Sequence, residues 1–353
     1  VGPGDGLVWL NAPPKPLFQN SSGEACGPDN VSANAIMQGN VVDTDWFLAA
    51  VSSLAERDTN FLKQLFVNDP AAWKVGLYGV RVFKNGVWLT VPLDTRFPCS
   101  QQPGQQPTPL GATPNEGLWA PLLEKSQAKL CGGYGELSFG VMGDALSDLT
   151  GQTSAHVDLT KIDASNGKFW ASLKQRYESG FVLGAVSRTS LDGSPVSPQG
   201  IYHKHSYSIL QVAEVDGNHL LELRNPMRKG EWKGNFGDTD KERWTRRLTA
   251  KLKHQPSDDG KFWIELQDFV LNFASVFVLR TFPSSWRAGT HLGQWGLTTA
   301  GGPMTEGKSG WKNPHFRLLV SQPATIILSL TQEDARLTRS VPDFVVGLGL
   351  FAV

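Results

Sequence analysis

A change of texture near residue 155 constrains this fold more than any other feature. Ahead of it the chain carries helical periodicity. Residues 46–57 place Phe47, Ala50, Val51 and Leu54 at i, i+3, i+4 and i+7, which predicts an amphipathic helix. Residues 60–67 and 118–130 read as two more helices, the latter stopped by Gly132 and Gly133. Residues 80–83 and 87–91 flank Lys84-Asn85-Gly86, a hairpin signal. Residues 100–117, rich in Pro, Gln and Gly, read as a loop. Behind the change, one further helix over 169–179 ends at Gly180. Short β-type runs then take over at 181–186, 206–212, 219–224, 262–264 and 275–279. Asp216-Gly217 predicts a tight turn between two of them. A helical half followed by an antiparallel half is an α+β arrangement rather than an alternating one.

Composition narrows the class. A length of 353 residues suits two or three domains, and 40% apolar residues suffice for real cores. Lys+Arg and Asp+Glu balance at 33 each, which gives no basic signal for nucleic acid or a membrane surface. Cys26, Cys99 and Cys131 are odd in number and form no CxxC pair, against a disulfide framework or a zinc finger. Residues 1–14 lack a basic stretch followed by an apolar run, and no segment approaches the ~20 apolar residues of a membrane span. Residues 1–35, rich in Pro, Gly and Asn, read as irregular surface chain. A cytoplasmic protein is the expectation.

Three short stretches carry potential chemistry. Gln38-Gly39-Asn40-Val41-Val42-Asp43-Thr44-Asp45-Trp46 leads into the first helix. His205, in Lys204-His205-Ser206-Tyr207-Ser208-Ile209, stands at the mouth of a strand, and Asn225, in Leu223-Arg224-Asn225-Pro226, at the end of a later one. Singly, a histidine is more often structural and an Asn-Pro is a turn. Together, in this order, they resemble the calpain family of cysteine proteases. There the corresponding stretches read Gln-Gly-x-x-Gly-Asp-Cys-Trp, Gly-His-Ala-Tyr-Ser-Val and Arg-Asn-Pro-Trp-Gly. Further resemblance lies in Trp119-Ala120-Pro121-Leu122-Leu123-Glu124-Lys125, Leu149-Thr150-Gly151, Gly230-Glu231-Trp232-Lys233-Gly234 and Asp259-Gly260-Lys261-Phe262-Trp263. Trp286, Gly301-Gly302, Asn313-Pro314-His315-Phe316 and Leu330-Thr331-Gln332 resemble the opening of the family's C2-like domain.

The resemblance implies a papain-like core of two subdomains, over 30–155 and 156–282. An irregular extension over 1–29 precedes them, and a partial C2-like β-sandwich over 283–353 follows, with strands at 316–320, 325–330 and 344–353. It assigns Gln38 to the oxyanion position, His205 to the general base and Asn225 to the residue that orients it. The nucleophilic cysteine maps to Asp45 when the alignment is anchored on Trp46, and to Thr44 when anchored on Gln38. Neither is a thiol. A carboxylate is a poor nucleophile toward an amide, and a threonine hydroxyl needs strong activation. Asp45 suits a helix N-terminus electrostatically. Facing His205, it would keep the family's charge pattern without its reactivity. Met227 stands where the family has the tryptophan that shields the His–Asn pair.

Calpain cores bind two calcium ions. At the first site the family's aspartate and glutamate correspond to Ala35 and Gly117, with Glu116 one place off. At the second, Glu231, Asp238 and Asp259 are kept and a glutamate has become Lys261. Hard cations need anionic oxygens, so the resemblance implies a lost first site and, at most, a partial second site for Ca2+. The expected function is a catalytically inactive calpain-like protein acting as an interaction module. The resemblance is nearest to the trypanosomatid proteins of this type, some of which associate with the microtubule cytoskeleton. The alternatives are a calcium-dependent endopeptidase with an unorthodox nucleophile and a non-catalytic calcium-responsive binder.

Overall fold

The first helix organises the architecture. In the computed structural model, which describes residues 7–11, 17–18, 32–39, 41–67, 69–101, 107–115, 117–138, 140–282, 285–302, 310–332 and 347–348, the chain divides into two units. One comprises 1–83 with 88–281, the other 282–353 with 84–87.

Strand β1 (Leu7–Asn11) opens the first unit. Helix α1 (Asp45–Arg57) follows with Asp45 in its first turn and Arg57 in its last, each charge suited to its end of the helix dipole. The apolar residues at 47, 50, 51 and 54 are buried, as the periodicity requires, but so are Trp46, Leu48, Ala49, Ser52 and Ser53. The helix is therefore central rather than amphipathic: its small Ser/Ala side also packs inward. Two short helices, α2 (Thr59–Gln64) and α3 (Pro70–Lys74), precede a hairpin of β2 (Tyr78–Lys84) and β3 (Val87–Leu93). Asn85 and Gly86 turn it with φ of 49° and 83°, the left-handed pair of a type I′ turn. Next come β4 (Arg96–Ser100), the two-residue β5 (Thr108–Pro109), α4 (Trp119–Cys131) and α5 (Met142–Thr150). Gly132, in the left-handed region, ends α4.

The expected irregular extension over 1–29 is corrected at residues 7–11. Leu7 to Asn11 pair antiparallel with Ser100 to Arg96, and β5 continues that small sheet. Leu7-Val8-Trp9-Leu10 is a run of four apolar residues that becomes a strand because β4, some 90 positions away, supplies its hydrogen bonds.

The remaining strands, β6 (Ser154–Asp158), β7 (Val182–Ser187), β8 (Ser206–Val215), β9 (Asn218–Arg224), β10 (Lys261–Glu265) and β11 (Phe273–Leu279), form one six-stranded sheet. Its order is β10-β9-β8-β7-β11-β6, and every pairing is antiparallel. Helix α6 (Lys168–Glu178) enters before β7, α7 (Arg246–Leu252) before β10 and α8 (Leu266–Asn272) directly after it. Asp216 and Gly217, with φ of 53° and 83°, make the β8–β9 turn. One core gathers α1, α4, α5 and the β2–β3 hairpin residues Val80, Val82, Val91 and Leu93. A second lies on the sheet around Tyr207, Leu221, Phe262, Phe269 and Phe273.

In the second unit the described residues form one short 3-10 turn, Gly310–Lys312. Asn313 ties it together. Its side chain accepts from Gly301 N–H and Trp295 Nε1–H at 2.9 and 3.2 Å and donates to the Gly302 carbonyl at 2.9 Å. The strands expected over 316–320 and 325–330 are absent from the described residues, and Leu318, Leu319 and Val320 are more than half exposed. An extended apolar run becomes a strand only where a neighbour pairs its backbone, and no such neighbour lies among the described residues of this unit. Of 344–353, all but residues 347 and 348 lie outside the described residues.

Candidate functional site

Asp45 begins α1, and the chain reaches it through a tightly held loop. Gly39 passes so close to Leu110 and Gly111 that a Cβ would lie 2.3 Å from the Gly111 carbonyl oxygen. Val42 N–H donates to the Leu110 carbonyl and Thr113 N–H to that of Met37. Trp46 anchors the next turn. Its indole donates to the Leu137 carbonyl at 2.8 Å and fills the space left by Gly140, where a Cβ would fall 2.1 Å from the ring.

On the opposite side, β8 begins directly after His205. Lys204 takes a left-handed φ of 52°, and the His205 N–H donates to Ser187 Oγ at 2.9 Å. The ring sits between Tyr202 and Tyr207, at centroid distances of 5.6 and 5.2 Å. Asn225 directly follows β9 and is fully buried. Its amide is oriented from both sides: the oxygen accepts from Met227 N–H at 2.9 Å and the nitrogen donates to the Lys229 carbonyl at 2.7 Å. Asn225 Oδ1 therefore faces His205 Nε2, 2.8 Å away, as acceptor, and Nε2 carries the proton. This leaves Nδ1 turned toward Asp45 Oδ2 at 3.7 Å.

Asp45, His205 and Asn225 thus form a line of buried side chains. Thr44 is not part of it: it is fully buried, and its hydroxyl stands beside Glu124 rather than His205. Gln38 is buried too. Its backbone N–H donates to the Pro226 carbonyl at 2.9 Å, while its side-chain Nε2 reaches the Val42 carbonyl at 3.5 Å. The loop carrying Gln38 is thereby attached to the turn that follows Asn225.

Asp45 is chemically unlike a thiolate. Its Oδ2 already accepts the Ser206 N–H at 2.6 Å. Attack by a carboxylate on a peptide carbonyl would form an anhydride, which is more reactive than the amide it came from, so expelling the amine runs uphill. The described cysteines, Cys99 and Cys131, are buried on β4 and at the end of α4. Cys26 lies outside the described residues.

Two groups beyond the sequence reading support the site. Ser206 supplies the N–H that holds Asp45, a backbone contact with no sequence signal. Glu124 lies under the loop, fully buried, with Ala112 N–H donating to it at 2.6 Å. Burial pushes its carboxyl up to about 7, against the opposing pull of Thr44 and the Ala112 N–H. Its sequence trace was its place in the Trp119–Lys125 stretch.

The calcium ligands implied by the resemblance are arranged otherwise. Ala35 is buried in a one-turn helix and Gly117 has no side chain, while Glu116 lies outside the described residues. Glu231 Oε1 accepts two backbone N–H groups, from Asp259 and Gly260, at 3.0 and 2.8 Å. Asp238 Oδ2 accepts Ser257 N–H at 2.9 Å, and Lys261 Nζ lies 3.4 Å from Asp259 Oδ2. Burial raises Glu231 to about 7, with Asp238 adding to the rise and the Gly260 N–H opposing it. Burial likewise raises Asp238. Among the described residues no group of three or more His, Cys, Asp or Glu could hold a metal ion. Calcium takes six to eight oxygens at 2.3–2.6 Å. Glu231, Asp238 and Asp259, tied to backbone amides and to an ammonium, do not fit it in this arrangement.

No described helix is long and apolar enough to cross a membrane. Residues 7–280 match the model of the calpain family cysteine proteases. The calpain-type cysteine protease ADL1 of rice (Oryza sativa subsp. japonica) is 38% identical over 315 residues, 86% of this chain and 14% of that protein. The calpain-type cysteine protease DEK1 of Arabidopsis thaliana is 38% identical over 321 residues, 88% of this chain and again 14% of that protein. Human calpain-14 is 27% identical over 380 residues, 99% of this chain and 54% of its own length. The chain therefore spans a small part of the plant relatives and about half of the human one. The helix-borne residue 45 facing a His–Asn pair, the match over residues 7–280 and these identities agree, and the chain belongs to the calpain family of cysteine proteases.

Proposed function

We propose that this chain is a calpain-type core that does not cleave peptide bonds and uses its fold to bind a protein or peptide. One observation carries the reading: the side chain 3.7 Å from His205 Nδ1 is the carboxylate of Asp45. The His205–Asn225 contact is formed at 2.8 Å, so within that line of side chains the departure lies at the attacking atom. The alternative nucleophile, Thr44, is fully buried, which argues against an endopeptidase with an unorthodox nucleophile. The arrangement around Glu231, Asp238 and Asp259 argues against a calcium-responsive binder. Calorimetry with calcium chloride tests that reading directly, because measurable heat that Glu231→Gln abolishes would restore it.

Two finer readings belong to this proposal. Residues 283–353 are read as the opening of a C2-like domain, on the Gly301-Gly302 and Asn313-Pro314 stretches. The partner is placed in the cytoplasm, with the microtubule cytoskeleton as first candidate, on the resemblance to trypanosomatid calpain-like proteins. Co-sedimentation with assembled microtubules checks it, and protein that stays in the supernatant removes that candidate.

The central experiment is casein degradation in calcium chloride beside labelling by a thiol-alkylating epoxide. The wild-type chain is expected to leave casein intact and to take no label at residue 45. Asp45→Cys is expected to take the label, since it sets a thiol beside an oriented imidazole. Casein cleavage by the wild-type chain, lost in His205→Ala, would overturn the proposal.

A further inference from the structure

Helix α1 carries four polar contacts spaced four residues apart, at positions 45, 49, 53 and 57. Asp45 Oδ2 accepts the Ser206 N–H at 2.6 Å. The Ala49 carbonyl accepts the Ser208 hydroxyl at 2.9 Å. Ser53 Oγ donates to the Leu183 carbonyl at 2.9 Å. Arg57 Nε donates to the Phe181 carbonyl at 3.2 Å, Arg57 Nη2 to that of Tyr177, and the guanidinium lies 3.9 Å over the Tyr177 ring. A spacing of four makes each group the neighbour of the next, in a stripe that winds by about 40° per step. At about 1.5 Å per residue the row runs nearly its whole length, roughly 18 Å. Every partner lies in the second half of the unit, on β8, on β7, on the last turn of α6 or on the α6–β7 connection, whereas α1 belongs to the first.

We propose that this row is a permanent seam that keeps the two halves of the core shut without calcium, and that Asp45 serves as its end bolt at the candidate site. Parting the halves along α1 would break these contacts together, three of the four positions being buried residues. Gln38 N–H to the Pro226 carbonyl, and Arg224 Nη2 to the Ile36 carbonyl, add attachments beyond the helix start. The row gives position 45 a structural task that a thiol would perform poorly, because sulfur is a weak acceptor. The seam rests on hydrogen bonds within the fold and stands whether or not the chain cleaves peptide.

Amide hydrogen exchange on the full chain tests it, with Asp45→Ala, Asp45→Asn and Ser53→Ala. A hydrogen bond to a buried carboxylate predicts that the Ser206 amide exchanges about 10- to 100-fold faster in Asp45→Ala. Asp45→Asn, which keeps an acceptor oxygen, should stay within about tenfold of wild type, and Ser53→Ala should accelerate exchange along β7 while the fold persists. Wild-type exchange along β7 and β8, and the radius of gyration from X-ray scattering, should be unchanged between a calcium chelator and calcium chloride. A Ser206 amide indifferent to Asp45→Ala, or a calcium-dependent change in radius or in seam exchange, would overturn the seam.

Discussion

Replacing Glu124 by glutamine isolates the energetics of the buried support beneath the candidate site. The Glu124 carboxyl is 1% exposed and accepts from Ala112 N–H, with the Thr44 hydroxyl beside it. Burial raises it from 4.5 to about 7. At 1.36 kcal/mol per pH unit that rise corresponds to about 3 kcal/mol. The sign follows from proton counting. Between 4.5 and about 7 the folded chain holds a proton that the unfolded chain has released. Stability is therefore full below 4.5 and falls as pH rises through 7, opposite to a salt-bridged carboxylate. Glutamine keeps an acceptor for Ala112 N–H and does not titrate. Denaturant unfolding followed by tryptophan fluorescence at pH 5 and pH 8 measures both proteins. The difference between Glu124→Gln and wild type should move in favour of the variant by about 2–3 kcal/mol between those pH values. A difference that stays constant with pH would refute the reasoning, because it would mean that the buried carboxyl does not change its proton on folding. Burial raises Tyr134 and Cys99 as well, and the Glu124 charge further raises Tyr134.

Other consequences follow from packing and charge. Gly140→Ala sets a Cβ 2.1 Å from the Trp46 ring and should cost about 1–3 kcal/mol by overpacking, read as a lower denaturation midpoint at unchanged slope. Trp119→Ala empties a site that is 1% exposed in the first core and should cost about 3–5 kcal/mol in the same measurement. Glu222, raised to about 7 by burial against the pull of Lys261 and Gln211, also loses folded-state stability as pH rises through 7. Glu222→Gln should remove that loss, read in the same comparison of unfolding at pH 5 and pH 8.

Much of the site was legible because it follows the chain's own punctuation. His205 at the start of β8 and Asn225 at the end of β9 were placed by the β-type runs and by the Asp216-Gly217 turn between them. The choice between Asp45 and Thr44 was not legible. One residue of alignment separates them, and only packing turned Asp45 toward β8 and Thr44 toward Glu124. The acidic residues Glu231, Asp238 and Asp259 kept their spacing, yet the loops around them direct backbone N–H groups and Lys261 at the oxygens.

By itself the sequence determined where regular structure forms when the signal is local. Helical periodicity gave α1, α4 and α6, and left-handed turn residues gave the two hairpins, because such elements satisfy their hydrogen bonds from nearby positions. Tertiary structure decided what depends on distant partners. It made a strand of Leu7–Asn11 by pairing it with β4 and withheld strands from 316–330, where the described residues supply no neighbour. It stabilised the seven-residue helices α7 and α8 by docking Leu248, Leu252, Leu266 and Phe269 into cores, since helices so short are marginal alone. It also buried the Ser/Ala side of α1, converting a row of small and charged residues at a spacing of four into contacts with β7 and β8. Periodicity reports which face of a helix is apolar, but what meets its other face is set by chain more than a hundred residues away.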